Sequence, residues 1–198
     1  MLKKPVVILF SGLAGTGKTT SCLMIQDLIK KDGLFLDVFD KNNLYHFATG
    51  VKSIAQESFG WDLNKDSKGR LLLQDVGRTG RSYNKDIWVN ICLESINEDV
   101  MRMLTVCALI DDWRFPNELD VMKLQKHLDV FTVRIYAPNR EILLGTDAYN
   151  DVSETSLSHK PEDYDYFVNN TGTFDDLKFQ LIGILNDISE KVEKFGDD

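Results

Sequence analysis

Short apolar runs alternate along this chain with stretches in which apolar residues recur every three or four positions. The runs predict buried strands at residues 5–10, 34–39, 104–110 and 130–137, and a further short strand that ends at Val168. The helical spacing predicts helices at residues 19–31, 44–59, 71–77, 86–103, 116–127 and 174–195. Such alternation is typical of an α/β three-layer sandwich with a mainly parallel sheet, which binds ligands along the carboxyl ends of its strands.

The segment GLAGTGKT (residues 12–19) lies between the first predicted strand and the first predicted helix. It meets every position of the P-loop pattern G-x-x-x-x-G-K-[ST], whose curled backbone and following helix direct N–H groups at phosphate. Lys18 is expected to reach the β- and γ-phosphates, and Thr19 to hold Mg²⁺. The residues predicted to bind a nucleoside triphosphate are Gly12, Ala14, Gly15, Thr16, Gly17, Lys18, Thr19 and Thr20.

Composition narrows the class of protein. The 198 residues suit one domain, and the net charge of −8 argues against a nucleic-acid polymer as ligand. No stretch approaches the ~18 apolar residues of a membrane span, and no signal peptide is recognisable. Cys22, Cys92 and Cys107 are widely spaced, which favours three buried thiols in a reducing cytoplasm. A homodimer is a common default for soluble enzymes, but the sequence reveals no interface.

A second chemical feature, DDWRFPNE (residues 111–118), follows the apolar run at residues 104–110. In P-loop proteins a carboxylate at the tip of such a strand helps to hold Mg²⁺. Of the two acids we assign this role to Asp112, and we give Asp111 a supporting position. Arg114 is expected to contact phosphate, because a guanidinium grips phosphate oxygens in pairs; a surface cation is the alternative.

The middle stretch KDSKGRLLLQDVGRTGR (residues 65–81) alternates basic residues with glycines beside an apolar helix. Arg70, Arg78 and Arg81 are candidates to clamp a second anionic substrate opposite the P-loop, and a solvated polar segment is the alternative. The three histidines have no metal-ligand spacing, which favours surface or packing roles for His46, His127 and His159.

These segments together resemble a known family. GLAGTGKT, FATGVKSIAQESFGWD, KDSKGRLLLQDVGRTGR, DIW and DDWRFPNE are similar to the deoxynucleoside monophosphate kinases of tailed phages, and the similarity resumes in DVSETSLS and DYDYFVNNTGTFDDL. The resemblance implies one P-loop kinase domain of the nucleoside monophosphate kinase type over residues 1–198. It implies a helical insertion at about 40–103 that binds the monophosphate, and a mobile lid at about 138–160.

The resemblance also implies a reaction and a set of residues. The γ-phosphoryl group of ATP would pass, with Mg²⁺, to a deoxynucleoside monophosphate (dNMP), giving the diphosphate and ADP. The implied catalytic residues are Lys18, Arg70, Arg81, Asp112 and Arg114, with Thr19 and Asp112 at the metal. The implied acceptor-binding residues are Phe47, Lys52, Arg70, Gln74, Arg81 and Trp88.

The same resemblance extends to the second half of the chain. Asn170 and Gly172 match a loop that contacts the ATP base. Arg140 in the lid is a candidate for an ATP-phosphate contact, with an exposed loop charge as an equal alternative. The family often has a histidine just before the Ser-Glu pair, where this chain has Asp151-Val152, so Ser153 and Glu154 receive no role.

Two other functions stay open at this stage. A related fold carries the animal-type phosphomevalonate kinases, and the DVSE and NNTG segments suit such a relative too. A protein that binds ATP and signals by closure without catalysis is the second alternative, although the intact Lys18, Thr19 and Asp112 argue against it. The GWD and GRLLLQDVG segments favour nucleotide acceptors.

Overall fold

A parallel sheet forms the centre of the molecule. The computed structural model describes residues 4–32, 39, 41–140, 151–157 and 160–195. The strands of this sheet are β1 (Val6–Ser11), β2 (Asn42–Tyr45), β3 (Cys107–Ile110), β4 (Asp129–Tyr136) and β5 (Tyr166–Asn169). Their order across the sheet is β2-β3-β1-β4-β5, and all neighbouring pairs are parallel.

Helices flank both faces of the sheet. In chain order they are α1 (Lys18–Asp32), α2 (Thr49–Phe59), α3 (Ser67–Tyr83), α4 (Ile87–Met101), α5 (Pro116–Lys123), α6 (Val152–Thr155) and α7 (Phe174–Phe195). Short 3₁₀ turns lie at Pro138–Arg140 and Pro161–Asp163. The α/β sandwich predicted from the sequence is therefore confirmed.

Strand β1 shows why the fold has three layers. All of its residues are buried, and its side chains alternate between the two faces of the sheet. Ile8 and Phe10 join an apolar cluster with side chains of α1 and α7, whereas Val7 and Leu9 join a second cluster with side chains of α4 and α5. Parallel strands covered on both faces are apolar throughout, which is why this run was recognisable.

The second strand differs from the prediction. The strand predicted at residues 34–39 lies outside the described residues except for Phe39, whose backbone is helical. The strand beside β3 is instead β2, in which Leu44 pairs with Leu109 and Tyr45 with Ile110. Its sequence NNLY is half polar, because an edge strand needs fewer apolar side chains than a central one.

Three helices also differ in their limits. The helix predicted at residues 44–59 begins only at Thr49, because residues 44–45 belong to β2. The short helix predicted at 71–77 is the longer α3, whose start is capped by Asp66: its carboxylate accepts a hydrogen bond from the Gly69 N–H at 2.7 Å. The helix predicted at 116–127 ends at Lys123.

Two composition-based expectations can be compared with the structure. Cys22, Cys92 and Cys107 are buried and form no disulfide, as predicted. None of the helices in the described ranges is both long enough and apolar enough to cross a membrane.

The helices α2, α3 and α4 pack together through Trp88 of α4. Its side chain is 3% exposed, and its Nε1 donates a hydrogen bond to the Gly77 carbonyl at 3.0 Å. A Cβ at Gly80 would overlap the indole ring, and a Cβ at Gly50 would touch it at 3.0 Å. Glycines on α2 and α3 thus make room for one large side chain that holds α2, α3 and α4 together.

We predict that Gly80→Ala destabilises the protein by ~1–3 kcal/mol, because the indole ring of Trp88 must move or the helices must separate. The matched control is Gly183→Ala on the exposed side of α7, where an added Cβ meets nothing within 4 Å. That substitution should raise the free energy of unfolding by roughly 0.5–1 kcal/mol through helix propensity. Urea unfolding of both variants measures the difference, and equal effects would contradict the packing role of Trp88.

Candidate functional site

A cavity of about 530 Å³ opens at the carboxyl ends of β1, β2 and β3. The P-loop follows β1, His46 and Phe47 follow β2, and Asp111 and Asp112 follow β3. The predicted site residues that line the cavity are Ala14, Gly15, Lys18, Thr19, Phe47, Lys52, Arg70, Gln74, Arg81, Trp88, Asp112 and Arg114. The sheet therefore brings the P-loop and the predicted acceptor residues into one space.

The remaining predicted residues lie elsewhere. Gly12, Thr16 and Gly17 build the P-loop backbone, and Thr20 is exposed on the first turn of α1. Gly172 lies between β5 and α7, where a Cβ would come within 2.5 Å of an Asp176 oxygen. The side chain of Arg140 lies outside the described residues, as do residues 141–150 of the expected lid and His159.

The P-loop needs glycine at its two ends for steric reasons. Gly12 has φ of 150° and Gly17 has φ of 101°, values that residues with a Cβ rarely adopt. A Cβ at Gly12 would lie 2.6 Å from the Ile135 carbonyl oxygen. A Cβ at Gly17 would lie 2.6 Å from the side-chain nitrogen of Asn170. The backbone of the loop therefore packs closely against β4 and against the segment that follows β5.

Asn170 supports the P-loop directly. Its side chain is buried, and its Nδ2 donates a hydrogen bond to the Thr16 carbonyl at 2.9 Å. The Thr16 hydroxyl in turn donates to the Leu13 carbonyl at 2.8 Å. The resemblance implied a contact between the Asn170 segment and the ATP base. The amide supports the loop backbone in this structure, and the contact with the base stays a prediction.

Lys18 is folded back onto its own loop. Its ammonium group donates hydrogen bonds to the carbonyl oxygens of Gly12 at 2.7 Å and Leu13 at 2.9 Å. Burial, and then the nearby Arg114 guanidinium, lower the pKa of Lys18 from 10.5 to about 8. An anion bound at the loop would favour the charged form of this lysine.

The two adjacent acids after β3 have separate partners. Asp111 accepts a hydrogen bond from the Thr19 hydroxyl, and its Oδ1 lies 2.5 Å from His46 Nδ1. Asp112 accepts hydrogen bonds from the backbone N–H groups of Phe47 at 2.8 Å and Ala48 at 3.0 Å. Both carboxylates line the cavity, but among the described residues only Asp111 is hydrogen-bonded to a side chain of the P-loop.

The acid beside Thr19 is Asp111, to which the sequence gave a supporting position, whereas Asp112 holds the turn that leads from β2 into α2. The role of Asp112 at a metal ion stays a prediction. Burial raises the pKa of Asp111, but hydrogen bonds from His46 and Thr19 outweigh it and hold this pKa below the usual 3.8. Asp111 is thus ionised at neutral pH.

His46 is a site residue that the sequence interpretation missed. One donor atom from each of His46, Asp111 and Asp112 lies within 4.8 Å of the others. The carboxylate oxygens of Asp111 and Asp112 and the Thr19 hydroxyl fit the preference of Mg²⁺ for oxygen ligands, and His46 offers a ring nitrogen beside them. The position of His46 at the tip of β2 was the available signal, but it is visible only once β2 is placed at Asn42–Tyr45.

Arg114 contacts a carboxylate where the sequence predicted a phosphate. Its guanidinium forms an ion pair with Glu154 and donates a hydrogen bond to the Ser153 carbonyl at 3.2 Å. The other oxygen of Glu154 accepts a hydrogen bond from the backbone N–H of Ala14 in the P-loop at 3.1 Å. Glu154, which the sequence left without a role, is therefore part of the site.

The opposite wall of the cavity is basic. Lys52, Lys65, Arg70 and Arg81 line it, and none of them forms an ion pair with any described residue. Burial lowers the pKa of Lys65, and the neighbouring charges of Lys52 and Arg70 lower it further. Lys65 was not singled out from the sequence. Cations that converge without carboxylate partners form a site for an anion.

Two arginines of α3 differ in their surroundings. The Arg81 guanidinium lies 4.2 Å from the centre of the Phe115 ring, which orients it at the cavity wall. Arg78, the third arginine singled out in this segment, is exposed and is paired with Asp75 at 2.8 Å and Asp151 at 3.4 Å. It does not line the cavity, so the structure separates it from Arg70 and Arg81.

Comparisons with known proteins find similarity in fold and no match in sequence. No protein-family profile matches the sequence, and no curated protein matches it. The solved structure of APE1195 shares 12% identity, with 96% of this chain and 98% of that one covered at a TM-score of 0.53. A sugar kinase from Janibacter sp. HTCC2649 shares 13% identity over 96% and 98% of the two chains, at a TM-score of 0.50. The APS kinase CysC of Mycobacterium tuberculosis, in complex with AMPPNP and APS, shares 12% identity over 92% and 98%, at a TM-score of 0.48.

At these identities the comparisons show a shared architecture. The chain shares its α/β fold, with a parallel sheet as the sequence predicted, with the structures of APE1195 and the sugar kinase.

Glu118 provides a test of the electrostatics beside the cavity. Its carboxylate is buried and accepts hydrogen bonds from the backbone N–H groups of Arg114 at 2.9 Å and Phe115 at 3.0 Å. Burial raises the pKa of Glu118 from 4.5 to about 8. Between these two values the folded protein binds a proton that the unfolded chain does not, so stability must fall as pH rises through this window.

We predict that Glu118→Gln removes this component, because glutamine keeps an oxygen for both N–H groups and carries no charge. From pH 5 to pH 8, wild-type protein should lose roughly 1–3 kcal/mol of unfolding free energy relative to the variant. Urea unfolding of both proteins across this range is the measurement. Parallel pH profiles would show that Glu118 is ionised in the folded state throughout.

Proposed function

We propose that this protein is an ATP-dependent kinase that phosphorylates a deoxynucleoside monophosphate. The observation that carries the proposal is a cavity that joins a complete P-loop to a wall of cations, none of which has a carboxylate partner among the described residues. A P-loop binds the phosphates of a donor, and a second set of cations in the same space suits an acceptor that is itself anionic. The resemblance of the middle segment to phage monophosphate kinases supports a nucleotide as that acceptor.

On the donor side, the N–H groups of residues 12–19 would surround the phosphates of ATP. Lys18 would leave the carbonyls of Gly12 and Leu13 and turn toward the β- and γ-phosphates, where its charge is stabilised. Thr19 and Asp111 would hold Mg²⁺, with Asp112 and His46 beside them. The metal ion, when bound, supplies neutralisation of the charge on the phosphate oxygens.

On the acceptor side, Arg70 and Arg81 would hold the monophosphate, assisted by Lys52 and Lys65. The aromatic face of Phe47 and the amide of Gln74 line the same cavity and suit a nucleoside base, which needs both stacking and hydrogen bonds. Trp88 acts mainly as the support on which α2 and α3 rest.

The reaction needs no nucleophilic side chain. An oxygen of the acceptor phosphate is already a nucleophile at neutral pH, and it attacks the γ-phosphorus as the bond to the β-phosphate oxygen breaks. What opposes this step is repulsion between two anions and the need for an in-line approach. Lys18 and the arginines of the cavity supply charge neutralisation and positioning.

The direct test is incubation of the protein with ATP, Mg²⁺ and each common ribonucleoside and deoxyribonucleoside monophosphate, followed by chromatography of the products. We expect a diphosphate from one or more dNMPs.

Lys18→Ala should lower turnover at least about a hundredfold by removing a charge that acts on the transferred group. Lys31→Ala is the matched control, since Lys31 is exposed on the same helix and forms an ion pair with Asp27. ATP binding without transfer to any nucleotide would point first to phosphomevalonate and then to a non-catalytic regulator.

A second prediction separates the two substrate sites. Arg81→Ala should raise the KM for the monophosphate about tenfold, the effect of losing one charge-assisted contact, and leave the KM for ATP within about twofold. Arg102→Ala is the control, because Arg102 lies at the end of α4 away from the cavity and contacts Glu98. Steady-state kinetics with each substrate varied in turn provide the measurement. An equal rise in both KM values would place Arg81 outside the acceptor site.

A further inference from the structure

The carboxylate of Glu154, which lies on α6, contacts the P-loop at a position where a phosphate oxygen would be expected. One of its oxygens accepts a hydrogen bond from the Ala14 N–H at 3.1 Å, and the other is paired with the Arg114 guanidinium. The Glu154 side chain is only 5% exposed. A backbone N–H of the P-loop and an arginine are the two kinds of donor that hold phosphate at such a site.

In the protein without nucleotide, polar groups of the P-loop thus find their hydrogen-bond partners within the protein itself. Lys18 lies on the carbonyls of its own loop, Glu154 takes one of the N–H groups, and Arg114 is bound to Glu154 and to the Ser153 carbonyl. A nucleotide phosphate that uses Ala14 and Arg114 must displace this carboxylate. Two anions cannot share one N–H group and one guanidinium at contact distance without strong repulsion.

We propose that Glu154 is an internal competitor for the nucleotide at the P-loop: its carboxylate holds Ala14 and Arg114 in the free protein and is expelled when ATP binds. The proposal rests on the proposed function in that it takes a nucleoside triphosphate as the ligand of the loop. Part of the binding free energy of ATP is then used to release Glu154, so the carboxylate lowers the apparent affinity.

The displacement has a structural consequence outside the P-loop. Glu154 lies on α6, whose first turn is capped by Asp151 through the Ser153 N–H at 2.9 Å. Asp151 also contacts Arg78 on α3. The short helix therefore connects the donor loop with the helical insertion, and ATP binding would loosen this connection while it frees Arg114 for phosphate.

Binding of a non-hydrolysable ATP analogue with Mg²⁺, measured by calorimetry without any acceptor, tests this inference. Glu154→Gln and Glu154→Ala should each bind the analogue about threefold to tenfold more tightly than wild type, because the competing charge is gone. Glu162→Gln is the matched control, since Glu162 is an exposed acid in the same part of the chain. Its affinity should equal that of wild type.

Hydrogen exchange provides a readout that does not depend on affinity. In wild type, the analogue should accelerate exchange of the amides at residues 152–157, whereas in Glu154→Gln these amides should exchange rapidly before the analogue is added. Unchanged or weaker binding by both Glu154 variants, with residues 152–157 protected in the bound state, would overturn the proposal and make Glu154 a support for Arg114.

The outcomes also separate this inference from the proposed function. Tighter binding by the Glu154 variants without phosphorylation of any dNMP would uphold the competition and reject the nucleotide kinase. Normal phosphorylation of dNMPs with unchanged analogue affinity in both variants would do the reverse. Absence of analogue binding by all of the proteins would overturn both.

Discussion

The carboxyl ends of β1, β2 and β3 lie together because these strands are parallel and pair residue by residue. This alignment places the P-loop, His46 and the Asp111–Asp112 pair at one edge of the sheet, although the first and last of these are about a hundred positions apart. The spacing between the side chains of the site therefore depends on how these three strands pair. Apolar side chains on both faces of β1 hold the strands in place, so the core and the cavity are parts of one arrangement.

Charge shapes the cavity as strongly as topology does. A protein with a net charge of −8 must concentrate cations locally in order to bind phosphates. The cavity contains Lys18 and Arg114 near the P-loop, and a second basic group on the opposite wall. The two groups differ in one respect: Arg114 is paired with Glu154, whereas the cations of the wall have no carboxylate partner among the described residues.

The sequence predicted those elements whose pattern lies within one continuous stretch of residues. The P-loop, β1 and α7 were predicted with nearly their observed limits, because each has a continuous motif or a long periodic pattern. Strand β2 was missed, since NNLY has neither feature and becomes a strand only by pairing with β3. Because β2 was not predicted, His46 at its end was not recognised as a site residue either. Likewise, Lys65 was visible as a charge, but nothing local showed that its segment folds back against Lys52 and Arg70.

The sequence by itself determined the chemical class of the site, because a P-loop is a local backbone structure whose glycines, lysine and threonine act within eight consecutive residues. It also determined the layered α/β fold through the alternation of apolar runs and helical spacing. Only the tertiary structure decided which acid stands beside Thr19, since 92 positions separate Thr19 from Asp111 and no local pattern encodes a contact at that distance. Only the tertiary structure brought Glu154 to Ala14, because 140 positions separate the two residues and no local pattern encodes contacts at that distance.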